Sequence, residues 1–355
     1  MRTGGRNSLS REERILGIIE TARSKRPRFK DERITMAHGA GGKATQTLIE
    51  GLLAPAFGLE ELADAALVDG VALTTDSFVV KPLVFPGGSI GELAVNGTVN
   101  DLAMAGARPL ALSLALILEE GLDAGVLRAE VAAIAAAAEA AGVKIVAGDT
   151  KVVERGHADG MYVCTTGVGA RDPRASLSPG AVRPGDRILV SRTIGEHGTA
   201  IMLARGDLGL DADVESDTRP LWPAVDAVLG EHVHCLRDAT RGGVASVLNE
   251  IARAAGVGVV VREGDVPVEP AVAGAAELLG IDPMYVANEG TFVAFVAPEG
   301  AAAALAALCA VEGCERAAEI GVVRDEPPGM VLVETAFGGR RVMDQLVGDP
   351  LPRIC

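Results

Sequence analysis

Three aspartates carry the strongest signal for chemistry in this 355-residue chain. Asp76 in Thr-Thr-Asp-Ser-Phe and Asp149 in Gly-Asp-Thr-Lys each follow a short apolar run, and Asp101 lies in Gly-Thr-Val-Asn-Asp. Ligands bind at the carboxyl ends of strands in open α/β sheets, so Asp76 and Asp149 are expected just beyond two such ends. Carboxylates brought together repel one another, and Mg²⁺ bridging nucleotide phosphates is the common remedy. The alternative reading, aspartates that cap helices and face water, stays open.

Two small-residue turns are candidates for binding phosphate. Gly39-Ala-Gly-Gly-Lys43 precedes a predicted helix, and closely spaced backbone N–H groups there suit phosphate oxygens. It is not a P-loop because Ala44 follows the lysine, and as a dinucleotide motif it is weak. Asp238-Ala-Thr-Arg-Gly-Gly243 is a second such turn. Asn288-Glu289-Gly290, just before a predicted strand, is a third candidate.

Lys151, the His232–Cys235 segment and the cysteines are further candidates for a chemical role. The chain has six lysines against 27 arginines, so a lysine beside Asp149 suggests a point charge or an amine with a shifted pKa, with a solvated surface lysine as the alternative. In His232-Val-His-Cys235 a strand would place the cysteine opposite the two histidines, which excludes a compact zinc set. Five cysteines without CxxC spacing do not predict a disulfide framework.

The C-terminus has an unusual sequence. Pro350 and Pro352 favour an extended segment, Arg353 adds a charge, and Cys355 is the last residue. Eight extended residues span about 25 Å, so a cysteine on such an arm could enter a site and leave it again. Its own carboxylate should disfavour the thiolate, and Arg353 could partly offset that. A frayed terminus that happens to end in cysteine is the alternative.

The elements that must position these residues alternate between strand and helix in both halves of the chain. This alternation predicts an α/β or α+β fold in two domains. In the first half we predict strands at 33–36, 71–75, 110–118, 143–147 and 162–168, and helices at 44–53, 90–105 and 123–141. In the second half we predict strands at 187–191, 258–261, 291–296 and 330–335, and helices at 199–205, 220–229, 242–255 and 268–280.

The length of the chain predicts its division into domains, and its charge excludes some classes of protein. We predict a basic extension at 1–30 with a short helix near 11–22, an N-terminal domain at 31–170, a linker at 171–186, a C-terminal domain at 187–337 and a flexible tail at 338–355. The net charge of −15 argues against nucleic acid as the main partner. The apolar runs are too short to span a bilayer or to act as a secretory signal, so we expect a cytoplasmic protein without membrane contact.

Taken together, the motifs resemble the HypE family of hydrogenase maturation factors, within the larger AIR synthetase (PurM-like) superfamily. The matching stretches follow in order from residue 33 to the C-terminus: "ITMAHGAGGKATQTLIE", "TTDSFVVKPLVFPGGSIGELAVNGTVNDLAMAGARP", "GDTKVVERGHADGMYVCTTGVG", "GEHGTAIM", "RDATRGGVASVLNEIA", "MYVANEGTF" and "PRIC". Each stretch alone is weak evidence for the family, but the ordered set that ends in PRIC is specific to it.

The resemblance implies a fold, ligands and site residues. The fold would be two α/β domains, with N-terminal domains pairing across a homodimer into a β-barrel and with ATP and Mg²⁺ beside it. The matching metal positions are Asp76, Asp101 and Asp149. The matching ATP positions are Gly39, Gly41, Gly42, Asp76, Asn100, Asp101, Asp149, Thr150, Asp238 and Arg241. The matching catalytic positions are Cys355, which carries the substrate group, and Lys151 and Glu289, which handle protons.

The reaction that the resemblance implies is ATP-dependent dehydration of a carbamoyl group on Cys355 to a thiocyanate. HypF would donate the carbamoyl group, and a HypC–HypD complex would accept the cyanide for the iron of a [NiFe]-hydrogenase. Two alternatives remain: another superfamily synthetase, of the aminoimidazole ribotide or selenophosphate type, or a non-enzymatic thiol carrier. The lack of a cysteine before Cys164 disfavours the selenophosphate type. The sequence leaves open which of Lys151 and Glu289 accepts the proton and where the tail rests.

Overall fold

The computed structural model describes residues 28–59, 63–206, 212–346 and 353–355. The predicted basic extension and its helix near 11–22 therefore lie almost wholly outside the described residues, as do residues 347–352 of the predicted tail. Among the described helices, none is both long and apolar enough to cross a membrane.

The first half builds a five-stranded sheet with two long helices. Its helices are α1 (Lys43–Leu48), α2 (Ala54–Phe57), α3 (Ile90–Met104) and α4 (Ala124–Ala140), with a π-helical turn Ile49–Leu53 joining the first two. Its strands are β1 (Ala66–Val68), β2 (Val71–Phe78), β3 (Val84–Phe85), β4 (Gly88–Ser89), β5 (Ala107–Glu119), β6 (Lys144–Val153) and β7 (Met161–Arg171). The sheet order is β1-β2-β7-β5-β6, with only β5 and β6 parallel, while β3 and β4 form a separate hairpin.

The second half builds a seven-stranded sheet flanked by helices. Its strands are β8 (Arg187–Val190), β9 (Val233–Asp238), β10 (Gly258–Arg262), β11 (Phe292–Val296), β12 (Ala318–Arg324), β13 (Met330–Glu334) and β14 (Arg340–Met343). Its helices are α5 (Glu196–Arg205), α6 (Trp222–Val228), α7 (Gly243–Ala255), α8 (Pro270–Leu279) and α9 (Pro298–Cys309). The sheet order is β14-β13-β10-β12-β8-β11-β9, and only β10 and β13 run parallel.

Helix α3 connects the two halves and is buried almost throughout. Its small residues allow this: a Cβ on Gly97 would lie 2.9 Å from the ring of Phe78 in β2. From the same helix, Asn100 donates to the Arg219 carbonyl at 3.0 Å and accepts from the Leu221 N–H at 2.7 Å. Because buried amides need partners, these bonds fix α3 against the second half.

The α/β organisation in two halves is confirmed, while several predicted bounds are wrong. Residues 33–36 form no strand, since a 3₁₀ turn, Met36–Gly39, begins there. Strands β2 and β6 continue well past the predicted ends at 75 and 147, so Asp76 and Asp149 lie inside strands rather than beyond them. Residues 340–343, predicted to be irregular, pair with β13 as the edge strand β14.

The first sheet has one covered and one open face. Along β2 the side chains alternate, with Ala72 and Thr74 buried and Val71 and Leu73 exposed. Helices α3 and α4 cover the buried side, where Val95, Leu112 and Ile134 pack together. Among the described strands, none closes this sheet into a barrel.

Candidate active site

A cluster of three aspartates lies where α3 meets the second sheet. Asp101 is on α3, Asp238 is the last residue of β9, and Asp64 lies just before β1. One carboxylate oxygen from each lies within 4.8 Å of the others. Hard oxygen ligands at this spacing suit Mg²⁺, which is bound in proteins through one or two carboxylates together with phosphate.

Burial and like charge set the acidity of this cluster. Burial raises the pKa of Asp101 well above its usual value, and the charges of Asp238, Asp64 and Asp76 add to the rise. The pKa of Asp238 is raised well above its usual value for the same two reasons. Arg237 forms an ion pair with Asp64 and offsets part of the repulsion. A divalent cation would relieve the remaining repulsion.

Asp76 interacts electrostatically with both the aspartate cluster and the C-terminal cysteine. Its pKa is raised by burial and lowered in part by the Arg241 guanidinium. The Asp76 charge in turn raises the pKa values of Asp101, Glu289 and Cys355. Of the three predicted metal ligands, the structure therefore brings Asp76 and Asp101 into one electrostatic network.

The C-terminal cysteine is half-buried and lies against Glu289. Burial raises the pKa of the Cys355 thiol far above its usual value, Arg241 opposes this, and the charges of Glu289 and Asp76 raise it further. The thiol also forms a hydrogen bond with the Glu289 carboxyl group. A thiol in this position is protonated at neutral pH and is a poor nucleophile.

Glu289 is a buried acid held in place through its backbone. It is 3% exposed. Burial raises its pKa well above the usual value, and the charges of Asp238 and Asp217 raise that pKa further. The Asp217 carboxylate accepts the N–H groups of Glu289 and Gly290, each at 2.9 Å, and the Thr291 hydroxyl at 2.9 Å. This fixed carboxyl group can hold a proton or take one from a group on Cys355.

The two predicted phosphate turns lie against each other. Gly41 has φ +76°, and a Cβ there would lie 2.7 Å from the Arg241 carbonyl oxygen, so only glycine fits this approach. Arg241 donates from Nη1 to the Gly39 carbonyl at 3.1 Å, and Ser246 Oγ donates to the Gly41 carbonyl at 3.3 Å. A cavity of ≈ 370 Å³ lies between these turns, and its lining includes Gly39, Gly42, Arg241, Gly242, Tyr285 and Cys355.

Asp149, Thr150 and Lys151 are not brought to this cavity within one chain. They lie on the edge strand β6, where Lys151 Nζ is 2.6 Å from Asp149 Oδ2, with the two side chains 68% and 63% exposed. That contact lowers the pKa of Asp149. By register, Asp149 is level with Ala115 whereas Asp76 is level with Thr165, so the pleat places the two aspartates on opposite faces of the sheet.

Several residues around the site were not predicted from the sequence. Asp64 and Asp217 lie in segments without regular secondary structure, where no pattern of apolar residues marks them. The ATP contact predicted for Asn100 stays a prediction, and in the structure its side-chain amide donates to the Glu289 carbonyl at 3.3 Å, a contact that the sequence did not predict. These contacts are tertiary, and single-chain spacing gives no signal for them.

The fold and these turns define a class that comparison with known proteins also identifies. Residues 62–170 match the family model "AIR synthase related protein, N-terminal domain", and residues 183–333 match "AIR synthase related protein, C-terminal domain". Thiamine monophosphate kinase from Aquifex aeolicus, at 17% identity and TM-score 0.60, shares the fold.

Within that class the similarity narrows to one family. Carbamoyl dehydratase HypE of Rhodobacter capsulatus is 51% identical over 338 residues, 92% of this chain and 99% of that protein. HypE of Escherichia coli K12 is 44% identical over 91% and 99% of the two chains. A solved HypE–HypF complex matches with TM-score 0.82 and 46% identity over 84% of this chain and 99% of that one. A HypE structure in complex with ATP matches with TM-score 0.78 and 44% identity over 91% and 100%. The chain belongs to the HypE family of carbamoyl dehydratases.

Proposed function

We propose that this protein uses ATP to remove water from a carbamoyl group carried on Cys355, leaving a thiocyanate for hydrogenase maturation. The observation that carries the proposal is the position of Cys355, with its thiol against Glu289 and beside the cavity formed by the two glycine-rich turns. The names of the relatives agree with this activity, and one relative was solved with ATP bound.

The chemistry needs ATP because the carbamoyl oxygen is a poor leaving group. Attack of that oxygen on the γ-phosphorus of ATP releases ADP and makes a phosphate ester. Breaking the C–O bond then releases phosphate, while the nitrogen gives up its two protons to form the C≡N bond. The products are a thiocyanate on Cys355, ADP and phosphate, so the carbamoyl oxygen leaves in the phosphate.

Glu289 is proposed as the proton acceptor because it already contacts the sulfur that carries the group. The raised pKa of Glu289 makes its carboxylate a stronger base than an ordinary glutamate. Lys151, the other candidate, lies on the exposed edge strand β6 and contacts Asp149. For Lys151 to act, it would have to reach the tail of a second copy.

Mg²⁺ is proposed at the acidic cluster. Asp64, Asp101 and Asp238, with Asp76 nearby, supply carboxylate oxygens whose mutual repulsion fits a divalent cation. This set shares Asp76 and Asp101 with the prediction from sequence, adds Asp64 and Asp238, and leaves Asp149 to a second copy. The ion would neutralise charge on the phosphates of ATP.

The open face of the first sheet supports a homodimer. Val71, Leu73 and Ile117 on this face are 45%, 43% and 38% exposed, and Asp149 and Lys151 share it by register. Exposed apolar side chains on a sheet face next to an edge strand are a common site of association. Pairing of two such sheets would form the β-barrel and place Lys151 at the interface between copies.

The proposed reaction needs two partner proteins, and the chain is proposed to divide into two domains. HypF, present in the solved complex of a relative, would load Cys355, and a HypC–HypD complex would accept the cyanide. The proposed bounds are an extension at 1–30, domains at 31–170 and 187–337 joined by 171–186, and a tail from 338. Strand β14, at Arg340–Met343, extends the second domain into that tail.

The mass of the intact protein tests the proposal. Incubation with HypF, carbamoyl phosphate and ATP is expected to add about 43 Da at Cys355 and then to leave a net gain of about 25 Da after dehydration, as atomic masses require. The Cys355→Ala variant should gain neither. ATP hydrolysis by the wild type with no mass change at Cys355 would contradict the proposed activity and leave only the superfamily assignment.

A further inference from the structure

The last three residues lie along residues 79–81 and are bonded to them through the backbone. The Val79 N–H donates to the Cys355 carbonyl at 3.2 Å, and the Lys81 N–H donates to the Arg353 carbonyl at 3.4 Å. Ile354 between them is 3% exposed and packs in the core cluster that contains Phe78 and Val80. The chain end is therefore docked in one register relative to the protein.

Two side chains from α5 hold carbonyl groups of this segment. Arg205 donates from Nη2 to the Arg353 carbonyl at 2.7 Å and from Nε to the Lys81 carbonyl at 2.9 Å, so it bridges the tail and the segment beside it. His197 Nε2 lies 2.9 Å from the Ile354 carbonyl, while its Nδ1 lies 2.7 Å from Ser216 Oγ. A carbonyl only accepts, so Nε2 carries the proton and Ser216 donates to Nδ1.

A third contact holds the Arg353 side chain. Its guanidinium forms an ion pair with Asp159, donates from Nε to the Val79 carbonyl at 3.1 Å, and lies 6.0 Å from the centre of the Tyr162 ring. Asp159 also accepts from Lys81 Nζ at 2.9 Å. The loop carrying Asp159 is fixed because the Glu119 carboxylate accepts the Gly160 N–H at 2.8 Å.

The docked position is unsuitable for loading the thiol. Cys355 is half-buried in the wall of the cavity between the two glycine-rich turns, and its thiol bonds the Glu289 carboxyl group, so a donor on another protein does not reach it there. The tail must therefore leave this position to be loaded and return to it for the reaction. The contacts from Arg205 and Asp159 suit such a cycle, since they involve partly exposed charged side chains whose bonds exchange readily with water.

We propose that Asp159, His197 and Arg205 form a tail latch, a set of positioning residues that holds Cys355 opposite Glu289 and opens to release it for loading. The role in the reaction rests on the proposed function. His197 and Arg205 hold backbone carbonyls, so the latch fixes the register in which the chain end lies along residues 79–81. All three contacts also strengthen the binding of the chain end to the rest of the protein.

Thiol alkylation tests the latch without ATP or a partner. Arg205→Ala and Asp159→Asn are expected to raise the rate at which N-ethylmaleimide labels Cys355 about five- to tenfold, as loss of one charged hydrogen-bond partner should do. Buried Cys235 and Cys314, at 2% and 1% exposure, serve as internal controls and should stay protected. Arg316→Ala, which removes a surface pair with Glu269, is the matched control and should leave all rates unchanged.

Each outcome decides the proposal. Faster labelling of all three cysteines would mean that the variants unfold locally, and an unchanged Cys355 rate would mean that these side chains do not hold the tail. Labelling of wild-type Cys355 as fast as a free cysteine would also overturn the proposal, because the tail would then be undocked in solution. Arg205→Lys should give a Cys355 labelling rate between those of the wild type and Arg205→Ala. The lysine ammonium keeps the charge but cannot donate to both carbonyls with the geometry of a guanidinium.

A second readout separates the latch from the proposed function. With Cys355 already carbamoylated, the latch variants should dehydrate more slowly in a single turnover, while loading by HypF should not slow. If wild-type protein alkylates as expected yet never dehydrates its carbamoyl group, the latch stands and the proposed function fails. Equal dehydration rates in wild type and latch variants would remove the positioning role.

Discussion

Glu289→Gln is expected to lower the single-turnover rate of dehydration about 10²- to 10⁴-fold, the usual contribution of a positioned general base. Glutamine keeps the size of the side chain and its hydrogen-bonding capacity but cannot take a proton from the carbamoyl nitrogen. The loop should keep its place, because Asp217 holds Glu289 and Gly290 through their backbone N–H groups. Loading of Cys355 by HypF should proceed as in the wild type.

The measurement is the conversion of carbamoylated to cyanylated protein by intact mass after rapid mixing with ATP. Glu277→Gln, an exposed glutamate on α8, is the matched control and should react at the wild-type rate. The wild-type rate should rise with pH through the raised pKa of Glu289, because the base acts only when deprotonated. A Glu289→Gln rate within about threefold of wild type would exclude Glu289 as the base, and Lys151→Gln would then be the variant to examine.

Asp101→Asn is expected to stabilise the metal-free protein while removing its response to Mg²⁺. Without a cation, Asp101 is a half-buried carboxylate beside Asp64 and Asp238, so a neutral amide relieves repulsion. We expect the free energy of unfolding in EDTA to rise by about 1–3 kcal/mol. Thr74 Oγ, which donates to Asp101 Oδ2 at 2.7 Å, retains an acceptor in the variant.

Asp101→Asn should also weaken stabilisation by Mg²⁺ and slow dehydration of the carbamoyl group. At about 100 times its dissociation constant, Mg²⁺ should stabilise the wild type by about 2.7 kcal/mol, and the variant by far less. Dehydration should fall at least about 100-fold, since the charge on ATP would lose its counterion. Denaturant unfolding with and without Mg²⁺ measures the first effect, with exposed Asp213→Asn as control. Equal Mg²⁺ stabilisation of both variants and wild type would place the cation elsewhere.

The candidate residues that the structure brings together are those marked by local sequence pattern. Glycine-rich turns before helices were recognisable from composition, and they lie together at the cavity because Gly41 leaves room for the Arg241 backbone. The importance of Cys355 came from the resemblance and from its place at the end of a proline-containing tail. Its docking against residues 79–81 depends on contacts far apart in the sequence, which local pattern does not encode.

The errors have physical causes as well. Strand β6 was predicted too short because its second half, from Gly148 onward, is polar and exposed at the sheet edge, where no apolar run is needed. Helix α9, Pro298–Cys309, was missed because its alanine-rich sequence has no clear polar face. Asp64 and Asp217 gain their roles only when distant segments fold together.

The fate of the carbamoyl oxygen tests the central claim most directly. Protein carrying a carbamoyl group labelled with a heavy oxygen isotope is mixed with unlabelled ATP, and the released phosphate is analysed by mass spectrometry. The account predicts one heavy oxygen in phosphate for each thiocyanate formed on Cys355, because the γ-phosphoryl group is transferred to that oxygen before the C–O bond breaks. Unlabelled phosphate, with the heavy oxygen in water, would show that ATP is hydrolysed separately and would contradict the account.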